Sequence, residues 1–189
     1  KSVPKQTAAP SVPTPQAEPT KASPKPAMSD RWKALMAAPT THRVSGPAGA
    51  PLTIVRGSGS SADAEAMLDR MLENVLKLHR DDVCLIDLNR DSRTPTEIGE
   101  GLRQALPNLK PSLLLLMGRF AVQALYGEEA SLDSMRNEWT KFEYPGGSVP
   151  LRVTHHPEAI LLLGSRGDSA PKRDTFQDLK AVGERLTST

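Results

Sequence analysis

The stretch Pro111 to Leu125, PSLLLLMGRFAVQAL, decides how the rest of the chain is read. Leu113 to Met117 form an unbroken apolar run, far short of the ~20 residues that span a bilayer, and fit a strand buried on both faces. Gly118 turns the chain, and Phe120, Ala121, Ala124 and Leu125 then recur at helical spacing. A buried strand passing through a glycine into a helix is half of a parallel βαβ unit. Ligands of such sheets sit at the carboxyl ends of the strands. The site is therefore expected near Gly118 and near the end of the strand Val149 to Thr154, where His155, His156 and Pro157 follow.

Strand and helix signals alternate on both sides of this unit. Pro51 to Val55 reads as the first core strand, followed by Arg56-Gly57-Ser58-Gly59-Ser60-Ser61 and a helix from about Ala62 to Leu78. That turn is glycine-rich, but it lacks both GxGxxG spacing and the Lys-Ser/Thr of a P-loop, so a plain tight turn is preferred to a phosphate cradle. Val83 to Leu88 is the second strand, and Pro95 opens a helix to about Leu106. Ser131 to Asn137 reads as a short helix, and Lys141 to Tyr144 pairs with Val149 to Thr154 around Pro145-Gly146-Gly147. Pro157 to Leu163 and Pro171 to Leu186 complete the pattern, the last with a stripe of Phe176, Leu179, Val182 and Leu186. This alternation predicts an α/β fold, a three-layer αβα sandwich around a mostly parallel sheet, over residues 51–189.

Ahead of it, residues 1–30 hold seven of the 17 prolines and almost nothing to bury. They read as a disordered Pro-rich tail, either a spacer or a partner-binding arm. Residues 31–50 read as a short helix and linker. Trp32, Leu35 and Met36 share one side of that helix, and they either dock on the chain's own domain or anchor a partner.

Composition narrows the function. The net charge of +2 is already accounted for by the tail, where four lysines face Glu18 and Asp30, so the remainder is neutral. A protein that grips nucleic acid through phosphates carries a basic face, which makes DNA a weak expectation. Aromatic residues make up 4% of the chain, thin for a surface that stacks bases. Cys84 is the single cysteine, which excludes an internal disulfide, a four-thiolate iron–sulphur cluster and a cysteine-rich zinc site. It suits a reducing cytoplasm, and no cofactor or metal is expected. Among polar residues the sharpest signal is His155-His156 at a strand end. A histidine there can hydrogen-bond a developing anion or move a proton near neutral pH, or simply bond neighbouring backbone. Adjacent histidines in a strand would face opposite sides and make a poor metal pair.

Three segments together, LLLLMGRFAVQALYG (113–127), SLDSMRNEWTKFEYPGGSVPLRVTHHP (131–157) and KRDTFQDLKAV (172–182), resemble the C-terminal half of the uracil-DNA glycosylase superfamily, in particular its bacterial iron–sulphur branch. The features shared are a strand-Gly-Arg-helix, an SL…R segment, a His-Pro motif and a closing Phe-x-Asp-Leu. Weaker similarity runs back to about residue 52. The resemblance implies base flipping and glycosidic cleavage, with His156 stabilising the departing uracil anion. Asp87 stands where an asparagine should read the pyrimidine edge, with Asn89 nearby but displaced. The acidic first motif is reduced to residues 56–61, and no Phe, Tyr or Trp lies between Trp32 and Phe120 to stack on the base. Loss of such a platform removes ~1–3 kcal/mol of binding per base. A fold retained without its pocket is similar in plan to the ψ-subunit type of bacterial clamp-loader protein. The expected role is thus a non-catalytic adaptor in bacterial DNA replication or repair, binding replication or repair proteins such as clamp-loader subunits. The alternatives are an active or residual glycosylase using His156 with Asp87 or Asn89, and a regulatory DNA-binding protein.

Overall fold

The computed structural model describes residues 41–90 and 94–188. The proline-rich tail and the segment with Trp32, Leu35 and Met36 lie outside the described residues. In chain order the elements are β1 (His42–Ser45), β2 (Leu52–Gly57), α1 (Ala62–Met71, continued by a π-turn Leu72–Leu76), β3 (Val83–Leu88), α2 (Pro95–Leu109), β4 (Leu114–Met117), α3 (Arg119–Tyr126), α4 (Leu132–Met135), β5 (Thr140–Tyr144), β6 (Gly147–Thr154), α5 (Pro157–Ser165) and α6 (Ala170–Thr187).

The six strands form one sheet in the order β1-β3-β2-β4-β6-β5. Its four inner strands are parallel, and the edges β1 and β5 run antiparallel to their neighbours. The quoted apolar run is the centre of this sheet, and it is buried on both faces as expected. Leu114 and Leu116 join the layer built by Ile98, Leu102 and Leu106 of α2 and Val122 of α3. Leu115 and Met117 point the other way, to Leu68 and Leu72 of α1 and Leu179 and Val182 of α6. Alternation along a strand with helices on both faces is the three-layer sandwich.

Several local details differ from the sequence expectation. An edge strand, β1, lies within the segment read as linker; its only apolar residue, Val44, is exposed, so no alternating pattern announces it. The first long helix widens into a π-turn that ends on left-handed Lys77, where the Leu78 amide closes on the Leu72 carbonyl. The wider turn keeps Leu68, Leu72 and Leu76, spaced by four, on the core side. α2 runs through Pro107 to Leu109, because a proline in the last turn removes a single amide from the ladder. In α6 Leu179 and Val182 are buried and Leu186 packs against them as expected, but Phe176 is 56% exposed, while Thr175 and Asp178 take buried positions.

Charge accounts for the inward place of Asp178. The Asp178 side chain is fully buried and accepts from Arg136 Nε at 3.2 Å and from Arg152 NH2 at 3.0 Å. Arg136 also reaches Asp174 at 3.0 Å. Phe176 stands two residues from Asp178, about 200° round the helix, and so lies away from the buried face that Asp178 shares with Leu179 and Val182. The Thr175 hydroxyl is satisfied by donating to the Pro171 carbonyl at 2.8 Å. The cluster ties α6 to β6 and to the end of α4. Asp178→Ala would leave the buried Arg152 without its carboxylate and Arg136 with Asp174 alone, and chemical denaturation should read a loss of about 3–5 kcal/mol. A loss within the range of ordinary surface changes, about 0.5 kcal/mol, would show that the cluster does not hold the layers together.

Candidate functional site

Register brings three strand ends to one level. Arg56 of β2 stands beside Met117 of β4, and Met117 beside Thr154 of β6. Chain order reverses between β2 and β4, with α1 and α2 on opposite faces, so the crevice there is a topological switch point. A cleft of about 700 Å³ opens at this place, lined among others by Ser58, Arg90, Gly118, Phe120, His155 and His156.

Gly118 makes the approach of His156 possible. Its φ is +88°, and a Cβ at this position would lie 2.7 Å from the Cβ of His156. Its amide donates to the Thr154 carbonyl at 2.9 Å, stitching the end of β4 to that of β6. β6 stops at Thr154, so His155 and His156 stand beyond the strand and line the same cleft, not opposite faces as strand alternation implies. His156 is the N-cap of α5: its Nδ1 accepts from the Glu158 amide at 3.1 Å, which places the proton of the neutral ring on Nε2, 3.5 Å from Ser60 Oγ. Burial lowers the His156 pKa from its ordinary 6.5, and Arg56 and Arg90 lower it further; Glu158 and a backbone hydrogen bond at Gly57 oppose them. A neutral imidazole at the wall of the cleft, with its Nε2–H beside Ser60 and two cations nearby, can stabilise an anion. His155 Nε2 lies 3.7 Å from Asp174, too far for a hydrogen bond, and its pKa is lowered by burial and then by Arg136.

The glycine-rich turn is taken up by the chain's own carboxylate. The Ser61 amide and hydroxyl donate to Glu158 Oε2 at 3.0 and 2.8 Å, and Ser61 Oγ caps α1 through the Ala64 amide. The plain-turn reading fits this geometry.

Asp87 is placed elsewhere. Its Oδ1 accepts from Arg56 Nε at 2.7 Å, and the buried Arg56 also pairs with Glu65 at 2.6 Å. Asp87 and Asn89 line a second cleft of about 390 Å³ that shares with the first only Ser58 and Gly59. The turn 58–61 runs between the two clefts, and Ser60 of the second stands 3.5 Å from His156 Nε2. Asn89 is further tied by its amide to the Thr41 carbonyl at 2.9 Å.

Two residues of the first cleft were not singled out by the sequence. Phe120 reads there as part of a helical stripe, but it is half-buried and faces the cleft. The Arg90 guanidinium lies 4.9 Å over its ring and so occupies one of its two faces. Arg90 also crosses Gly57, where a Cβ would come within 2.5 Å of it. The Arg56–Asp87 pair was within reach of the sequence: parallel pairing from Leu52 and Val83 sets these opposite charges side by side.

The four-thiolate cluster of the iron–sulphur branch does not fit these residues. Cys84, the sole cysteine, is buried inside β3, and no group of three His, Cys, Asp or Glu among the described residues converges. Among the described residues no helix is long and apolar enough to cross a membrane. In comparison with known proteins, residues 14–180 match the model of the uracil DNA glycosylase superfamily. No curated protein matches the chain.

The lowered histidines predict an acid-sensitive fold. A ring that resists protonation when folded binds more protons when unfolded, so stability falls as pH drops below about 6.5 and levels off once the folded pKa is passed. His42, lowered by burial, and His155 act in the same direction. The depressed carboxyls of Glu65 and Glu158 act in a lower window, below about 4.5. The melting temperature should therefore decline between about pH 7 and pH 5.5. His156→Asn, which keeps a capping oxygen, should flatten that decline, and an unchanged pH profile would contradict the assignment.

Proposed function

The chain belongs to the uracil DNA glycosylase superfamily, and from that premise we propose that it is a non-catalytic member serving as a protein-interaction module in DNA replication or repair. The observation that carries the reading is the Arg56–Asp87 ion pair. At 2.7 Å it engages the carboxylate at the reading position, which lines a different cleft from the one His156 lines. Three further points support it: the reduced first motif, the Arg90 guanidinium over Phe120, and the lack of thiolates for the cluster of the iron–sulphur branch that the C-terminal motifs resemble. In this proposal the N-terminal arm with Trp32, Leu35 and Met36 contacts one partner while the α/β domain engages another, in the manner of a clamp-loader ψ subunit.

One observation favours a second reading. His156 and Phe120 line the same cleft of about 700 Å³, as a residual glycosylase would require. Incubating the full chain with uracil-containing single- and double-stranded DNA separates the two. The adaptor reading expects no uracil release, whereas release that disappears in His156→Ala would overturn it.

A further inference from the structure

The outer side of the α1/α6 layer carries a groove that has no part in the cleft chemistry. α6 meets the π-turn after α1 at Gly183, where a Cβ would lie 3.6 Å from Leu76. Elsewhere along the two helices a groove of about 340 Å³ separates them, with Met67, Met71 and Val75 on one wall and Phe176 and Leu179 on the other. Its one buried hydroxyl, that of Thr175, is already bonded to Pro171, so the floor offers no free polar group. Phe176 is the most exposed large apolar residue among those described.

The rim is cationic. Arg70 and Lys172 flank the groove, no acidic residue lines it, and neither cation has an ion-pair partner among the described residues. Elsewhere the domain pairs its buried arginines, Arg56, Arg136 and Arg152, with carboxylates. Lys172 and Arg173 also sit in the first turn of α6, which holds no acid. Cations there oppose the helix dipole and so weaken the isolated fold. An apolar trough between two helices accepts a third helix by interdigitation, and unpaired cations at its edge favour acidic flanks on that helix.

We propose that the groove between α1 and α6 docks an acidic amphipathic helix of a partner protein, with Phe176 as the central apolar contact and Arg70 and Lys172 pairing its carboxylates. This rests on the reading of the chain as an interaction module and names the surface its domain would use.

The test titrates the full chain with a synthetic peptide carrying leucines at helical spacing and glutamates on the flanks. A matched peptide with lysines for glutamates is the control. Saturable binding of the acidic peptide is expected, weakened about tenfold or more by Phe176→Ala. Because Phe176 is exposed, its melting temperature should stay unchanged. Arg70→Glu combined with Lys172→Glu should reverse the preference toward the lysine peptide. Absence of saturable binding, equal binding of both peptides, or binding indifferent to Phe176→Ala would each overturn the proposal. So would a dimer in sedimentation that Phe176→Ala dissociates, which would assign the groove to a second copy of the chain. Uracil release alongside Phe176-dependent peptide binding would overturn the adaptor reading and leave the groove standing; neither activity would overturn the groove alone.

Discussion

A buried carboxylate between two buried guanidiniums holds the C-terminal half of this fold together. Asp178 sits at the crossing of three pieces of chain: α6, which carries it, β6, which supplies Arg152, and the residue following α4, which is Arg136. Taking such charges out of water is costly, and the arrangement is tolerable only because the partners satisfy one another. Arg152 also lies 5.7 Å from the centre of the Trp139 ring, so its other side is covered by an aromatic surface. With β6 anchored in this way, its last residue meets the Gly118 amide and delivers His156 to the mouth of the sheet.

A second ion pair has the opposite consequence for chemistry. Arg56 and Asp87 stand in register at the ends of two parallel strands, where the superfamily resemblance places a residue that reads a base. The carboxylate is held by a buried guanidinium that itself reaches Glu65 of α1, and the turn 58–61 runs between its cleft and the one that His156 lines. Glu158 fixes that turn from the far side through Ser61. The strand-end scaffold that positions a histidine is thus present, while the groups that would converge on a substrate are distributed over two clefts and partly engaged with one another. That division is what the proposed adaptor role draws on.

This division also explains which parts of the molecule were legible in the sequence. Buried strands such as Leu114–Met117 are apolar on both faces and announce themselves. The segments that carried the resemblance include Arg136 and Asp178, and the structure assigns these two to the ion cluster that packs α6 on the sheet. Phe176, two residues before Asp178, misled because hydrophobicity alone cannot show that a carboxylate takes a place on the buried face of the helix. β1 was hidden for a different reason: HRVS has one exposed apolar residue, and its identity as a strand comes from pairing with β3. Phe120 and Arg90 could not be joined by sequence spacing, since their contact depends on how the ends of β3 and β4 are placed.

The central claim, a glycosylase-like scaffold whose base-reading site is no longer assembled, is tested most directly by titrating free uracil into the full chain and following the imidazole resonances of His156 by NMR. The account predicts no saturable shift. A saturable shift at His156 that Asp87→Ala abolishes would contradict it, because the two residues would then be acting on one bound base.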